Sequence, residues 1–305
     1  MRTAQAGLSQ PGNLEPGGVG LLVPGTPVAQ TATRCPSNPV VATGGGWEGT
    51  AVQEPVVIYD AGIFKMWYRG GWVPSGGMGY ATSPDGVTWT KYAGNPVIAT
   101  GIQQPNVFKS GTTYHAYYML SADLKHRTST DGINWGAESV AVSPQGQITS
   151  WANSTVYQAT NLNWWMLLEG LNTTGRWETH LFHSQDGGAS WSHQNGGYPL
   201  RTLQIHPNGM YGGPDIHPPV NGIYQLWYHA DNTGNGLPTD IYFATSPDLI
   251  NWTPAPSPVM VHQGGWEYDQ VADPSVVDVG ANRYMFYDGD NNTASTAAIG
   301  MATLS

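Results

Sequence analysis

One short motif recurs four times and limits the fold more than any other feature of the chain: Ser, any residue, Asp, then Trp four to five residues on. The copies are Ser83-Pro-Asp85-Gly-Val-Thr-Trp89, Ser129-Thr-Asp131-Gly-Ile-Asn-Trp135, Ser184-Gln-Asp186-Gly-Gly-Ala-Ser-Trp191 and Ser246-Pro-Asp248-Leu-Ile-Asn-Trp252. Their tryptophans lie 46, 56 and 61 residues apart, a spacing that suits propeller blades rather than helical solenoids. Asp-Gly marks a tight turn, and the Trp is expected to pack into the blade from the strand that follows.

Upstream of each turn lies an aromatic strand, present in five copies: Phe64-Lys-Met-Trp-Tyr68, Tyr114-His-Ala-Tyr-Tyr118, Trp164-Trp-Met-Leu-Leu168, Tyr224-Gln-Leu-Trp-Tyr228 and Tyr284-Met-Phe-Tyr287. A shorter β-branched strand precedes it, best seen in Glu54-Pro-Val-Val-Ile and Asp273-Pro-Ser-Val-Val. Four strands per unit and five units predict an all-β chain, a five-bladed β-propeller of four-stranded blades. Composition agrees. Only 10% of residues are charged, while 40 Gly, 23 Pro, 13 Trp and 16 Tyr suit a turn-rich β protein.

The fifth unit stops early: Ile299-Gly-Met-Ala-Thr303 matches the third strand Met78-Gly-Tyr-Ala-Thr82, and the sequence ends at Ser305. The missing outer strand is expected from the N-terminal side, where Thr31 to Val40 aligns with Thr88 to Val97, sharing Asn-Pro-Val. Such a closure removes open sheet edges. Residues 25–305 then form the propeller, and residues 1–24, rich in Gly and Pro, read as an arm or linker with a possible role in assembly.

A formal net charge of −10, from 11 Lys+Arg against 21 Asp+Glu, argues against nucleic acid as a partner. No run of ~18 apolar residues predicts membrane insertion. Cys35 is the single cysteine and has no disulfide partner within the chain. The first residues lack the apolar core of a secretory signal, so an extracellular-facing role is expected either without a recognisable leader or as part of a virion.

In a propeller blade the first strand begins, and the second ends, at the same face, so two rings of residues converge on the channel mouth. The inner-strand starts are Glu54, Gln104, Ser154, Asp215 (one residue out of register) and Asp273. The middle-strand ends are Arg69, Met119, Glu169, His229 and Asp288. Five carboxylates among these ten positions form a dense cluster for a chain with 21 acidic residues in 305. Crowded like charges raise a carboxyl pKa, which lets an acid and a base coexist near neutrality. The bland alternative for Glu54, Asp215 and Asp273 is a backbone cap at the turn. His217 and His229 flank the same region, with a structural role as their alternative. No spacing suggests zinc. Asp288-Gly-Asp290-Asn-Asn offers oxygen ligands for Ca²⁺, but it lacks the rest of a twelve-residue loop and equally suits a plain turn. No other cofactor is implied. Finally, Gly45-Gly-Trp47-Glu48 and Gly264-Gly-Trp266-Glu267 form a matched pair of loops. Trp47 and Trp266 are expected either on the rim, where they would stack on sugar rings, or packed between blades.

The sequence resembles the five-bladed propeller glycosidases of the arabinanase, xylosidase and invertase type over roughly residues 28–305. The resemblance rests on Met66-Trp-Tyr68-Arg-Gly-Gly, Met78-Gly-Tyr-Ala-Thr-Ser83-Pro-Asp-Gly-Val-Thr-Trp89 and Gly-Asn95-Pro-Val. Ser184 to Trp191 also looks like the structural Asp-box of sialidases, although the seven arginines do not obviously form a carboxylate-binding cluster. The resemblance to the propeller glycosidases implies carboxylates at the inner-strand starts of the first three blades, where this chain has Glu54, Gln104 and Ser154. Only the first is retained. Glu169 could supply the acid from the third blade, next to Glu54, Asp273 and Asp215 as catalytic candidates. Trp47, Trp266, Arg69, Gln104, His217, His229 and Asp288 are then substrate-binding candidates. Two functions follow: a glycoside hydrolase acting on a cell-surface or plant polysaccharide, or a non-catalytic glycan-binding or receptor-binding propeller of a phage particle.

Overall fold

The computed structural model describes residue 27 and residues 29–72, 76–99 and 101–305, so the arm expected over residues 1–24 lies outside the described residues. After a short strand β1 (Ala32–Arg34), the chain repeats one antiparallel order of four strands. The first unit holds β2 (Val52–Asp60), β3 (Ile63–Gly70), β4 (Gly77–Ser83) and β5 (Thr90–Lys91). The second holds β6 (Gln103–Ser110), β7 (Thr113–Leu120), β8 (Asp123–Ser129) and β9 (Ser139–Val142). In the third are β10 (Ile148–Gln158), β11 (Trp164–Asn172), β12 (Trp177–Ser184) and β13 (Ser192–His193). The fourth comprises β14 (Tyr211–Val220), β15 (Ile223–Asp231), β16 (Thr239–Ser246) and β17 (Thr253–Pro254), and the fifth β18 (Gln270–Val279), β19 (Asn282–Asn291) and β20 (Thr296–Leu304).

Strand β1 completes the fifth unit by pairing antiparallel with β20, Thr33 opposite Thr303. The aligned asparagines explain why this segment fits. Asn38 donates to the Met301 carbonyl and accepts from its N–H, each at 2.9 Å, as Asn95 bonds both backbone groups of Tyr80 at 3.0 and 2.8 Å. The fourth and fifth units are joined into one eight-stranded sheet by a single parallel pairing, Thr239 with Gln270.

The core lies between the units. Trp67 and Met78 of the first unit pack with Tyr114 and Tyr118 of the second, and Tyr117 of the second with Trp151 and Met166 of the third. Leu167 and Leu181 meet Tyr211 and Tyr228, Trp227 and Phe243 meet Val276 and Met285, and Phe286 and Ile299 return to Val52 and Met66. Five apolar seams thus join five units in cyclic order. Each sheet buries both faces, which is why its middle strands read as nearly continuous aromatic and aliphatic runs.

The repeated Ser/Asp motifs are built as capped turns between third and fourth strands. In the first, Asp85 Oδ1 accepts from the N–H groups of Val87 (2.9 Å) and Thr88 (2.7 Å), and Ser83 Oγ accepts from Gly86 N–H (2.8 Å). The fourth copy replaces the glycine with Leu249 at φ 67°. Its side chain is buried in the seam between units three and four, and that burial offsets the left-handed backbone.

Candidate active site

Every unit's first strand carries a register break near its start: between Gln53 and Val56, Gln103 and Asn106, Trp151 and Ser154, Gly212 and Asp215, and Ala272 and Ser275. An extra residue in a ladder bends the strand and re-aims a side chain. Glu54, Gln104, Gly213 and Asp273 occupy the break with φ of 54°, 51°, 53° and 47°, each followed by proline. Left-handed backbone at three non-glycine residues costs on the order of 1 kcal/mol or more each, and such strain collects at functional sites. In the third unit the break holds Ala152 and Asn153, without left-handed backbone.

Glu54, Gln104, Asn153 and Asp273 line one cavity of about 310 Å³ with Arg69, Glu169, His229 and Asp288 from the second-strand ends. Glu54 is fixed on both oxygens: Arg69 Nη1 donates to Oε1 at 2.7 Å and Gln104 N–H to Oε2 at 2.6 Å. Its own N–H donates to Asp288 Oδ1 at 3.0 Å. Opposite, Glu169 Oε2 accepts from Gly213 N–H (3.0 Å) and Asn153 Nδ2 (3.1 Å). The same Asn153 amide reaches Asp273 Oδ1 at 2.9 Å, so one side chain ties two carboxyls together. The space Glu169 occupies exists because residue 212 is glycine: a Cβ there would overlap its carboxyl group.

Burial is the main force on these groups. It raises the pKa of Glu169, an effect that the neighbouring His229 and the donors Gly213 and Asn153 partly offset. Asp273 is pushed well above the usual carboxylate range by burial and then by the charges of Glu54 and Glu169. Asp288 rises well above it through burial, with Asp273 and Glu54 next, and Asp290 through burial and Asp288. His229 moves the other way, its pKa lowered by burial against the opposing charge of Glu169. Its Nδ1 accepts from Asp273 N–H at 3.3 Å and lies 3.3 Å from Asp273 Oδ1. Three buried polar atoms of the lining have no hydrogen-bond partner among the described residues: Arg69 Nε, Gln104 Oε1 and Asp290 Oδ1. Bound hydroxyl groups could satisfy all three.

The structure gathers seven of the eleven residues singled out in the sequence: Glu54, Arg69, Gln104, Glu169, His229, Asp273 and Asp288. Four lie elsewhere. Asp215 sits two residues beyond Gly213, lining a cavity formed by the first strands of all five units, where Oδ2 accepts Val276 N–H at 2.6 Å. His217 bonds the Val276 carbonyl at 3.1 Å. Burial would lower its pKa, but the hydrogen bond and charge of Asp215 raise it. Both residues tie unit four to unit five. Trp47 and Trp266 pack over the backbone, their rings against Gly70 and Gly289, and Trp266 stacks on Tyr287 at 5.8 Å. The adjoining glutamates lock these loops. Tyr68 donates to Glu48 and Tyr287 to Glu267, each at 2.7 Å, and Lys91 and Arg34 complete the ion pairs. Ser154, placed in the ring by the sequence register, gives way to Asn153. The stretch from Asp288 is strand β19 as far as Asn291 rather than a loop, and no group of three or more metal-type ligands occurs among the described residues.

Sequence reasoning missed Asn153, Gln270 and the aromatic lining residues Trp72 and Trp177, and read Asp290 only as an oxygen donor for Ca²⁺. The proline after each break residue was the available signal for the fourth unit, where Gly213-Pro214 matches Glu54-Pro55.

No family model matches the chain. Solved structures do. A glycosyl hydrolase from Bacteroides ovatus superposes with a TM-score of 0.71 at 16% identity, covering 90% of this chain and 94% of that one. An α-L-arabinofuranosidase from Podospora anserina in complex with cellotriose gives 0.69 at 14% identity, covering 91% and 96%. A structure described with the GH130 family of mannoside phosphorylases, containing glycoside hydrolases that target β-1,2 mannosidic linkages in Candida mannan, gives 0.70 at 16%, covering 90% and 94%. The chain shares its fold with glycoside hydrolases. The resemblance to the propeller glycosidases read from the sequence therefore holds in three dimensions.

Proposed function

We propose that the five units are the blades of a five-bladed propeller closed by β1, formed by residues 25–305, and that its mouth is the active site of a glycoside hydrolase acting on a plant or microbial polysaccharide. One observation carries this reading: Glu54, paired with Arg69, shares a cavity with carboxyl groups whose pKa burial and mutual repulsion raise. Such divergence is what separates base from acid at one pH. Glu169 is the acid, giving its proton to the glycosidic oxygen as the bond to the anomeric carbon breaks. Glu54, aimed by Arg69 and Gln104, acts on the anomeric carbon directly or through a water, and water supplies the hydroxyl of the new reducing end. Asp273, tied to Glu169 through the Asn153 amide, tunes one of the pair through its own gain and loss of a proton. Trp72 and Trp177 supply flat apolar surface for the sugar.

The test is turnover on a panel of plant and microbial polysaccharides. Glu54→Gln and Glu169→Gln each keep size and most hydrogen bonds, and each should lower hydrolysis by about two or more orders of magnitude. Full hydrolysis by both variants would overturn the assignment. A second reading, a glycan-binding propeller without catalysis, is favoured by Gln104 and Asn153, amides where the resemblance implies carboxylates. It predicts binding without cleavage by the wild type and unchanged binding by both variants.

A further inference from the structure

A second, larger cavity of about 880 Å³ opens beside the third unit. Neighbouring residues of β12 divide the two: Trp177 lines the mouth, Glu178 the second cavity. The ionisable lining of this cavity is the reverse of the mouth's, where carboxyl groups outnumber the single arginine. Two arginines, Arg176 and Arg201, stand against one carboxylate, Glu178, in a chain whose net charge is −10. Glu178 is buried and already engaged, by Arg201 Nη1 at 3.2 Å and Asn172 Nδ2 at 2.8 Å. Arg176 has no carboxylate partner among the described residues; one Nη contacts the Asn208 side-chain oxygen at 2.9 Å and the other the Pro207 carbonyl at 3.4 Å.

The remaining wall suits a sugar. Tyr198 is 70% exposed at the edge, a large ring with no burial to explain it. Behind it, His180 Nδ1 and His193 Nε2 share a hydrogen bond at 3.0 Å. His180 is 2% exposed and its Nε2 has no partner among the described residues. A buried polar atom left unpaired within a lined cavity awaits a ligand or a water.

We propose that this cavity is a second glycan-binding site, selective for a sugar that bears a carboxylate. Arg176 would pair with the carboxylate in the planar geometry that guanidinium groups favour, Tyr198 would stack on the ring, and the histidine pair would meet its hydroxyls. The inference takes its class of ligand from the carbohydrate reading but needs no catalysis at the mouth. Binding is measured by calorimetry on the full chain carrying Glu54→Gln, with three probes: an oligogalacturonate, its methyl ester and an alginate oligosaccharide. At least one acidic probe should bind, about tenfold more weakly in Arg176→Gln and in Tyr198→Ala, and more weakly as salt rises. The ester should bind at least tenfold more weakly than its acid if the oligogalacturonate is the ligand. Tyr198 is exposed and Arg176 half-buried, and melting temperatures within 2 °C of the parent would exclude misfolding. Binding to none of the acidic probes, equal binding of acid and ester, or binding untouched by both substitutions would overturn the site. The wild type's hydrolysis of neutral polysaccharides, measured separately, decides the function of the mouth whatever this experiment shows.

Discussion

The Glu54–Arg69 ion pair is buried, with side-chain exposures of 8% and 6% and a separation of 2.7 Å, and its two halves should respond very differently to mutation. Arg69→Met strips the cation from a site that still holds Glu54, Asp273, Asp288 and Asp290. Breaking a buried pair from one side costs about 3–5 kcal/mol, because the remaining charge has lost its partner in a poor solvent. For a chain of this size that corresponds to a drop in Tm of roughly 6–15 °C. Glu54→Gln removes instead a charge that raises the pKa of Asp273, Asp288, Asp290 and Glu169. The amide oxygen can still accept from Gln104 N–H, and with the Glu54 charge gone a neighbouring carboxyl ionises more readily beside Arg69. The expected Tm change is within about 2 °C in either direction, alongside the loss of turnover. Scanning calorimetry of wild type and both variants at pH 7 checks this. Equal destabilisation by the two substitutions would refute the argument, since it would show that Glu54 stabilises the fold as much as Arg69 does.

Gly212→Ala should displace the Glu169 carboxyl that fills the space above residue 212, lowering turnover by at least tenfold; wild-type kcat in this variant would show that Glu169 is not held there for catalysis. The pH dependence of stability has two opposed limbs. Burial, with the charges of His193 and Arg201, lowers His180 from 6.5 to about 3, so its contribution is intact above pH 6.5 and is lost as pH falls toward 3, at up to about 1.4 kcal/mol per pH unit. The raised carboxyls of Asp273, Asp288 and Asp290 act in the opposite sense: their contribution is full at low pH and is lost as pH rises through their folded-state values. Asp288→Asn should therefore raise Tm more at pH 8 than at pH 5, and an equal shift at both would contradict this assignment. Removing residues 1–36 takes away β1 and should cause aggregation or loss of folding, visible by gel filtration and circular dichroism, while removing residues 1–20 should leave Tm unchanged.

The fold was legible because its repeats are local. Each Ser/Asp turn is capped by its own side chains, and the Asn-Pro-Val shared by Asn38 and Asn95 marks the segment that completes the fifth unit. The mouth was legible where the units keep one length, at Glu54, Gln104 and Asp273. It was misread where they do not. Asp215 is the nearest carboxylate to the break in unit four, yet glycine occupies the break itself because a Cβ at residue 213 would overlap Asp273 and crowd His229. In unit three, Asn153 rather than Ser154 holds the position, and no proline follows to mark it. Trp47 and Trp266 carried no directional signal of their own. The glycines that receive them, Gly70 and Gly289, lie 23 residues further on, and only the fold shows that they meet. Trp72 and Trp177 lie just beyond strand β3 and at the start of β12, outside the periodic strands in which a site was sought.

The central claim is that one cavity keeps protonated carboxyl groups beside an ion-paired carboxylate at neutral pH. Infrared difference spectroscopy of the carboxyl C=O stretch, with ¹³C-labelled aspartate, tests it directly. At pH 7 the wild type should show at least one protonated aspartate that ionises well above the ordinary range. The signal should vanish or change in Asp273→Asn, and its titration should move to lower pH in Glu54→Gln. A wild-type spectrum in which every aspartate is ionised at pH 7 would contradict the account.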